Sequence, residues 1–489
     1  MSEILNEFWP VLILLAVVAV VFKRLPAVDV GHDKAYLRRR ILNWLPLGLT
    51  YAFLYMGRYN LKISKFAFEE IQGTGGAPLM GNADFGLIFM WGTVVYGFSF
   101  LINGPLTDRL GGRFSILTGA SGAAACNLLM GLASLSLLNH GPMYETLASR
   151  FVPVFSVLYA ANMYFQSFGA VAIVKVNAPW FHVRERGVFG AIFGILISLG
   201  IYFAYDLGDI ILGSLGLAWV FFMPALLLAI FWVFDFFVVR NTPGEAGLQD
   251  FNTGDASSGD EGPRLGAGAV FRLMLRNPII MTIAGIEFCS GFLRQAIMQW
   301  FRTFAKQTDA VLGLKSSFVY DNWGLLLCIA GITGGVVAGT ISDHLFQSRR
   351  GPVAGFLYGV MLAGAILLSF TYTQPFVGWL VIVLSMAVIG VHGMLSGTAS
   401  MDFGGSKNVG IAVGIIDGFV YLGTAVMSLT YSIVLPEEQL DAAGHITGAA
   451  TDPANWRAWP LAMIPLAAIG LVLALRVWNA KPKPKTKPA

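Results

Sequence analysis

Two basic residues stand in a stretch that is otherwise apolar enough to enter a lipid bilayer. The stretch NWLPLGLTYAFLYMGRYNLKIS, residues 43–64, carries Arg58 and Lys62 one helical turn apart. The spacing of Tyr55, Arg58, Tyr59 and Lys62 places all four on one stripe of a helix. A guanidinium presents a planar fork of donors that suits phosphate or carboxylate, and phenol hydroxyls can complete the hydrogen bonds of an anion. Because burying an arginine in hydrocarbon costs at least ~2.5 kcal/mol and usually serves function, the stripe predicts an intramembrane anion site.

A second intramembrane arginine, Arg294, occupies an equivalent place later in the chain. Arg58 lies 50 residues before Asp108 of GPLTDRLGGR, and Arg294 lies 49 residues before Asp343 of GTISDHLFQSRRG. The similar separations indicate a duplicated unit, and parallel repeats of this kind place a binding site near the membrane midplane where the halves meet. Two guanidinium forks could then close on one anion. The alternative is that each arginine pairs with a buried carboxylate and only locks helices together, for which Glu287 is available.

Three further polar residues fall inside apolar runs. Asp417 could take a proton for symport or, together with Glu287, balance the charge of Arg294 when the site is empty. We expect His392 to be an ordinary hydrogen-bonded core histidine, and Lys175 to lie at a solvated helix end. Lys62 could also extend to the membrane interface instead of serving the site.

The acidic residues of the two repeated loops are candidates for gating contacts. Asp108 and Asp343 are expected at helix ends, where they can pair with nearby arginines and accept from helix N-termini of the opposite half. Such contacts would form in one orientation of the halves and break in the other, although they could equally be simple loop staples. The predicted gating group comprises Asp108, Arg109, Arg113, Asp343 and Arg349 or Arg350.

The elements that position these residues follow from the composition. Of 489 residues, 56% are hydrophobic and 12% are charged, whereas soluble proteins carry about 25% charged residues. An all-α integral membrane protein is therefore predicted. Apolar runs of about 20 residues predict twelve spans, near 42–64, 84–106, 114–138, 150–176, 188–212, 217–240, 278–304, 319–341, 353–372, 376–398, 409–434 and 456–478.

The distribution of basic residues predicts the orientation. Most of the 32 lysines and arginines fall on one side of the predicted spans, and that side should be cytoplasmic. The net charge of +4 then reflects topology and not nucleic-acid binding. A further apolar run at 8–22 follows acidic residues and precedes Lys23 and Arg24, without an A-x-A cleavage site. We interpret it as an uncleaved extra helix, which puts the N-terminus outside and the C-terminus in the cytoplasm of a bacterial-type inner or plasma membrane.

A long polar segment divides the twelve spans six and six. Its Gly, Ser and Asp content predicts a flexible cytoplasmic linker. The predicted organisation is an extra transmembrane helix at 1–24, a six-helix bundle at 41–240, the linker at 241–276, a second six-helix bundle at 277–478 and a basic tail at 479–489.

No pattern in the chain predicts an enzyme. The sequence contains no G-x-x-x-x-G-K-[ST] loop for nucleotide and no H-E-x-x-H or Cys/His cluster for metal. We therefore expect no cofactor and no metal.

Two loop motifs resemble those of the major facilitator superfamily. The run G-x-x-x-D-R-x-G-x-R spans Gly104 to Arg113, and W-F-x-x-x-E-R-G spans Trp180 to Gly187. Narrower motifs are similar to those of the organophosphate:phosphate antiporter family of glycerol-phosphate and hexose-phosphate carriers. These are Y-x-x-R-x-N at 55–60, L-R-x-x-I-x-x-W at 293–300, T-P-x-x-x-G-L at 242–248, S-D-x-x-F-x-x-x-R at 342–350 and Y-L-G at 421–423.

The resemblance implies two six-helix bundles, related by a pseudo-two-fold axis, that rock about a central site. It also implies that Arg58 and Arg294 grip the substrate phosphate. Two positions depart from the pattern of the glycerol-phosphate carriers. Phe100 stands where they have a lysine in G-F-S-K, and Ile197 stands where they have a histidine. We hypothesise that Lys62 replaces the missing positive charge.

The resemblance implies a secondary active transporter that moves small phosphorylated organic anions, in exchange for inorganic phosphate, by alternating access. One alternative is a carrier of carboxylates or other inorganic anions, with proton coupling through Asp417. Another is a transport-incompetent membrane sensor of sugar phosphate. The expected partners are the anionic substrate and the lipid bilayer, without nucleic acid, and we expect a monomer.

Overall fold

Long α-helices dominate the computed structural model, which describes residues 31–73, 77–182, 185–253, 267–341, 345–346, 350–396, 400–441 and 444–479. Each predicted span of the twelve-span core coincides with at least one helix. In chain order the main helices are α1 (Lys34–Phe68), α2 (Asn82–Leu110), α3 (Gly112–Leu138), α4 (Phe151–Asn177), α5 (Arg186–Leu215), α6 (Leu217–Val238), α7 (Pro278–Gln307), α8 (Trp323–Thr340), α9 (Arg350–Thr371), α10 (Val377–Met394), α11 (Ser400–Val434) and α12 (Met463–Arg476).

Ten helices of the described chain are long and apolar enough to cross a membrane. Of the twelve main helices, α1 and α8 fall outside this set. In α8 the apolar stretch is short, Trp323–Ala338. Helix α1 carries Arg58, Lys62 and other polar residues along its buried face, and these lower its hydropathy. The predicted all-α multi-pass membrane architecture is confirmed, and the extra N-terminal helix at 1–24 lies outside the described residues.

Short elements connect the main helices. The α-helical pieces are Tyr144–Ser149, Ala267–Leu275, Asp309–Leu312, Phe318–Asp321 and Ala458–Leu461. The 3₁₀ pieces are Ala178–Trp180, Gly244–Ala246, Leu314–Ser316, Gly448–Thr451 and Pro453–Arg457. Two antiparallel strands, Gln439–Leu440 and Ile446–Thr447, form a hairpin after α11. The predicted linker thus contains ordered pieces at both ends, while its centre lies outside the described residues, and the predicted domain boundaries stay a prediction.

The packing of the helices repeats after every sixth helix. In the first half, α1 packs on α5 and α6, α2 on α4, and α3 on α4 and α6. In the second half, α7 packs on α11 and α12, α8 on α10, and α9 on α10 and α12. Each pair of the first half therefore recurs in the second, which is the pseudo-two-fold symmetry expected from the two matched arginines.

The most extensive contacts between the halves are those of α2 with α11 and of α5 with α8, and α4 also contacts α11. The pseudo-two-fold symmetry exchanges the pair of α2 and α11 with the pair of α5 and α8. The two interfaces are therefore equivalent, and one lies on each side of the central axis. Within the second half, α7 and α11 approach backbone to backbone. A Cβ on Gly423 would lie 1.9 Å from the carbonyl oxygen of Phe288 on α7. The residues on α7 and α11 are thereby held in fixed register around the centre of the molecule.

Candidate functional site

Arg58 lies at the centre of the molecule and is fully buried. Among the described residues, all hydrogen-bond partners of its guanidinium group are neutral. Its Nε donates to Gln166 Oε1 at 2.9 Å, its Nη2 donates to Tyr96 OH at 2.7 Å, and its Nη1 donates to Tyr421 OH. The guanidinium carbon lies 4.5 Å from the ring centroids of both Tyr55 and Tyr96. No described carboxylate forms an ion pair with Arg58. The side chain is therefore held in position while its charge stays uncompensated by direct contact.

Arg294, on α7 of the opposite half, is 5% exposed. Its Nε and Nη2 atoms are buried and find no hydrogen-bond partner among the described residues. The sequence offered Glu287 as an ion-pair partner, but Glu287 Oε2 lies 2.8 Å from His392 Nδ1 instead. The helix-locking pair between Glu287 and Arg294 is not formed. Arg294 therefore keeps donors free for another acceptor.

The two arginines share a lining of tyrosines. Tyr55, Tyr59 and Tyr421 lie within electrostatic range of both guanidinium groups. Tyr59 OH accepts from Gln295 Nε2 of the second half at 2.8 Å. The structure therefore brings four of the five predicted binding residues, Tyr55, Arg58, Tyr59 and Arg294, to one buried region between the halves.

Three residues that hold Arg58 were not identified as site residues from the sequence. Gln166 and Tyr96 are polar groups within apolar spans, a signal that could have found them. Tyr421 was noted only as part of a Y-L-G motif. Phe100, the residue that departs from the resembled pattern, packs at 4.8 Å on Tyr96 and at 6.2 Å on Tyr421, measured between ring centroids. An aromatic ring that supports the tyrosines thus occupies the position where a lysine was expected.

Lys62 is buried between the halves and does not extend to the membrane interface, because only 1% of it is exposed. Its Nζ donates to Thr303 Oγ1 on α7. The same nitrogen lies 4.7 Å, 5.1 Å and 5.4 Å from the ring centroids of Phe85, Phe66 and Trp300. Aromatic faces stabilise a cation without neutralising it. Lys62 is therefore a further buried cation, one helical turn beyond Arg58 on α1.

A buried polar cluster lies at the end of the molecule where α1 and α7 end. Lys65 Nζ lies 2.9 Å from Glu69 Oε1 and 3.0 Å from Glu438 Oε1, and all three side chains are nearly inaccessible. Asn82 donates from its backbone to Glu438 Oε2 at 3.1 Å and from its side chain to Gln307 Oε1 at 2.9 Å. Because Lys65, Glu69 and Asn82 belong to the first half and Gln307 and Glu438 to the second, this Glu69 cluster closes its end of the molecule.

The two carboxyl groups of the Glu69 cluster titrate differently. Burial raises the pKa of Glu438 to about 7, although Lys65 opposes this shift. Burial also disfavours the ionised form of Glu69, but Lys65 and Lys306 outweigh it and lower the pKa of Glu69 to about 2. Lys306 Nζ lies 3.2 Å from Glu69 Oε2 and 3.1 Å from Glu70 Oε1. Sequence reasoning missed the cluster, whose visible signal was the i, i+4 pair of Lys65 and Glu69.

A second set of contacts joins the halves between α5, α7 and α8. Arg302 Nη1 on α7 lies 2.7 Å from Asp209 Oδ2 on α5. Asp206, one turn earlier on α5, accepts from the backbone nitrogens of Gly324 and Leu325 at 2.6 Å and 2.7 Å. A carboxylate at the start of α8 satisfies N–H groups that have no partner within the helix. The α5 and α8 interface is therefore fastened near the same end as the Glu69 cluster.

The predicted gating residue Asp108 has a partner other than the expected one. Its Oδ1 lies 2.6 Å from Lys175 Nζ on α4. Arg113 instead donates from Nη2 to the carbonyl oxygen of Phe236, and its backbone nitrogen donates to Asn241 Oδ1 at 2.9 Å. Asp108 and Arg113 are therefore not paired in this structure, because α2 and α4 pack together and bring Lys175 within reach of Asp108. Lys175 is accordingly not a free helix end.

The remaining predicted residues are placed as follows. Arg109 is exposed at the end of α2. Arg350 Nη1 donates to the carbonyl oxygen of Met394 at 3.3 Å. Asp417 Oδ1 accepts from Ser396 Oγ, and Asp343 and Arg349 lie outside the described residues. Within the residues that the structure describes, no group of three or more His, Cys, Asp or Glu side chains could hold a metal ion.

Comparisons with known proteins support a transporter fold. The family model described as Major Facilitator Superfamily matches residues 47–428. Among solved structures, a mutant of the nucleoside transporter NupG superposes with a TM-score of 0.58 at 15% identity, covering 90% of this chain and 98% of that chain. This likeness shows the fold alone.

Several proteins with similar sequences are named as transporters of phosphate esters or as a membrane sensor. The chain is 26% identical to the glycerol-3-phosphate transporter of Bacillus subtilis, covering 94% of this chain and 98% of that protein. It is 24% identical to a probable hexose phosphate transport protein of Chlamydia pneumoniae, with 92% and 93% coverage. It is 25% identical to the membrane sensor protein UhpC of Escherichia coli, with 82% and 86% coverage. These relatives confirm the narrower resemblance to the organophosphate:phosphate antiporter family, and they confirm that the chain is not an enzyme. By the match to residues 47–428, the chain is an integral membrane protein of the Major Facilitator Superfamily.

Proposed function

We propose that this protein is a secondary transporter that exchanges small phosphorylated organic anions for inorganic phosphate by alternating access. The observation that carries the proposal is a pair of buried guanidinium groups, one from each half, neither of which is paired with a described carboxylate. Arg58 has three neutral partners, and Arg294 keeps Nε and Nη2 without a partner among the described residues. The names of the relatives support a phosphate ester as the anion.

The electrostatics of the empty site favour an anion. A buried charge is costly unless it is paired and hydrogen-bonded, so two uncompensated guanidinium groups raise the energy of the empty site. A phosphate dianion supplies the missing charge and accepts from both forks at once. Arg58 is already oriented by Gln166, Tyr96 and Tyr421, so little side-chain freedom is lost when the anion binds.

The closed end of the molecule is the gate that must open and close during alternating access. We assign the Glu69 cluster to the outer face, as the distribution of basic residues predicts. In this state the cluster and the pair of Arg302 with Asp209 seal the outer end. An anion that bridges Arg58 and Arg294 draws the two halves together, whereas the repulsion between two empty guanidinium groups opposes the closing movement. The bias against closing an empty site makes exchange obligatory.

Transport assays with charge-conserving variants test the proposal. Proteoliposomes containing the full chain and loaded with inorganic phosphate should take up labelled glycerol phosphate or hexose phosphate. Arg58→Lys and Arg294→Lys should each reduce uptake at least about 100-fold, because an ammonium cannot reproduce the bidentate fork. Arg150→Lys, at an exposed position, is the matched control and should leave uptake unchanged. Undiminished uptake in Arg58→Lys contradicts the clamp.

Lys62 is proposed as a contributor of positive charge near the phosphate. The expected result for Lys62→Met is weaker phosphate binding with the halves still able to close, because methionine keeps the contact with Phe85 and Trp300 but loses the charge. Equal affinity in Lys62→Met and the unmodified protein would assign Lys62 to helix packing alone.

A sensing role is the second candidate, because one relative is named a membrane sensor protein. A sensor would bind hexose phosphate saturably in detergent, lose this binding in Arg58→Lys, and show no counterflow in phosphate-loaded vesicles. Uptake of a carboxylate with acidification and without a phosphate requirement would favour the other alternative. Measuring binding and counterflow on the same preparation separates these three outcomes.

A further inference from the structure

Two amides in series on α7 link the anion site to a buried oxygen that has no described donor. Gln299 Nε2 donates to Gln295 Oε1 at 2.9 Å, and Gln295 Nε2 donates to Tyr59 OH on α1 at 2.8 Å. Both glutamines are fully buried. Gln299 Oε1, at the far end of this amide chain, finds no hydrogen-bond partner among the described residues. The amide chain therefore begins beside the arginines and ends in an unused acceptor.

The hydroxyl group of Tyr205 does not supply the missing donor. It lies on α5 within hydrogen-bonding range of the Gln299 amide, but it donates to the carbonyl oxygen of Met298 at 3.1 Å. A buried acceptor without a donor is destabilising, whereas a bound molecule that brings a donor removes this penalty. Gln299 Oε1 therefore has the properties of a ligand contact.

The open oxygen lies where the two halves meet. The hydroxyl groups that meet the amide chain, those of Tyr59 on α1 and Tyr205 on α5, both belong to the first half. Asn60 Oδ1 is also buried without a described partner, but its amide donates to Asn127 on α3, within the same half. Gln299 thus faces the region between the halves that contains the anion site, and Asn60 does not.

We propose that Gln299 Oε1 accepts a hydrogen bond from a hydroxyl group on the organic part of the transported anion. The proposal rests on the proposed transport function and names its substrate class as phosphate esters of polyols or sugars. Gln299 follows Arg294 by five residues, or about 7.5 Å along the helix, a separation that the carbon chain of such an ester can span. A simple alkyl phosphate brings no donor and leaves Gln299 Oε1 unpaired.

The amide chain connects the two ends of a bound ester. Tyr59 lies within electrostatic range of Arg58 and Arg294, and its hydroxyl, which accepts from Gln295, can donate its own hydrogen to the phosphate. Hydrogen bonds in series polarise one another, so a group that donates becomes a better acceptor. A phosphate bound at Tyr59 therefore strengthens Gln299 Oε1 as an acceptor for the hydroxyl group of the same molecule.

The competing explanation is that the amide chain only holds α7 against the first half. The loss of Gln299 would then weaken the closed state and slow the exchange of every substrate alike. It would not change the preference of the site for one ester over another. A ratio of two affinities, measured within one variant, therefore separates substrate recognition from helix packing.

Competition with labelled inorganic phosphate measures this ratio. Proteoliposomes containing the full chain and loaded with phosphate take up labelled phosphate in the presence of glycerol 3-phosphate or of propyl phosphate, which has the same carbon chain without hydroxyl groups. Glucose 6-phosphate and cyclohexylmethyl phosphate form the corresponding pair for a sugar ring. In the unmodified protein, half-inhibition should require about 10-fold more of the ester without hydroxyl groups, in at least one pair.

Gln299→Met keeps the length of the side chain but offers no acceptor, so the two half-inhibiting concentrations should agree within about twofold. Gln374→Met, at an exposed position, is the matched control and should keep the ratio of the unmodified protein. If Gln299→Met does not fold, Gln295→Met provides the comparison. It removes the link between Gln299 and Tyr59, and a smaller ratio is expected.

The possible results are distinguishable. Equal inhibition by both members of each pair in the unmodified protein overturns the role of Gln299 and leaves the anion site standing. A preference for the hydroxylated ester that persists in Gln299→Met, or in Gln295→Met where that variant is used, overturns it as well. Absence of phosphate exchange in the unmodified protein overturns the proposed transport function, and the substrate class with it.

Discussion

Glu438→Gln tests how acid controls the closed end of the molecule. In the closed state, burial raises the pKa of Glu438 from its ordinary value of 4.5 to about 7, and Lys65 opposes this shift. When the end opens, water reaches the carboxyl group and its pKa returns toward the ordinary value. The closed state therefore holds an additional proton between these two pKa values. Closure should be favoured as the pH falls through 7 and disfavoured as the pH rises through it.

The size of the effect follows from the two pKa values of Glu438. Between about pH 6 and about pH 8, the equilibrium constant for closure should fall about tenfold, or about 1.4 kcal/mol. Glu69 contributes nothing in this interval, because its pKa of about 2 keeps it ionised throughout. The amide in Glu438→Gln resembles the protonated carboxyl group and can still accept from Lys65. The variant should consequently show an equilibrium that does not change between these pH values.

Distances between spin labels measure the opening directly. Met143→Cys in the first half and Val311→Cys in the second place labels at exposed positions, 59% and 65% accessible, near the end that carries the Glu69 cluster. The native thiols Cys126, Cys289 and Cys328 are buried and should not react. A long-distance population that grows with pH in the labelled parent and stays constant in Glu438→Gln is expected. An identical pH response in both proteins would refute the role of Glu438.

Further predictions concern the helix contacts. Gly423→Ala should lower stability by roughly 1–3 kcal/mol in a thermal or denaturant assay, because the added Cβ would lie 1.9 Å from the Phe288 carbonyl oxygen and α7 and α11 must separate. Unchanged stability would mean that these helices can move apart without cost. Asp209→Asn removes the carboxylate that faces buried Arg302. It should therefore lower the free energy of opening by about 1–3 kcal/mol at every pH, measured as a larger open population with the same labels. The double variant with Arg302→Gln should recover part of the closure, and an additive loss would contradict a direct pair.

The sequence predicted the membrane architecture well, because the length of each apolar run and the repeated spacing of charged residues can be read directly from the chain. The nearly equal distances from Arg58 to Asp108 and from Arg294 to Asp343 indicated the duplication, and the recurrence of each helix pair confirms it. Helix α1 was recognised as a span from the apolar run at 42–64, in spite of its polar stripe.

Partners across the fold were harder to predict. The sequence paired Asp108 with Arg113, its neighbour in the loop, but the packing of α2 on α4 gives it Lys175. Likewise, Glu287 was considered beside Arg294 because both lie on α7, whereas its actual partner is His392 on α10. Spacing along one helix shows which residues share a face, but it does not show what a neighbouring helix brings to that face.

The Glu69 cluster was missed for a similar reason. Its members come from segments far apart in the chain, and each alone resembles an ordinary interfacial charge. Lys65 and Glu69 would be unremarkable at the end of a span without Glu438, which is 373 residues from Lys65. Such long-range contacts depend on how the two halves meet.

The aromatic surroundings of Lys62 also give the protein an internal optical reporter. Trp300 belongs to the second half, and its ring lies 5.4 Å from the ammonium of Lys62 and 5.7 Å from the ring of Phe85, both in the first half. Separation of the halves removes both neighbours and admits water to the indole, which shifts tryptophan emission to longer wavelength. Among the 12 tryptophans, Trp300→Phe identifies its share of the signal. The opening of an unlabelled protein could thus be followed in real time by its own fluorescence.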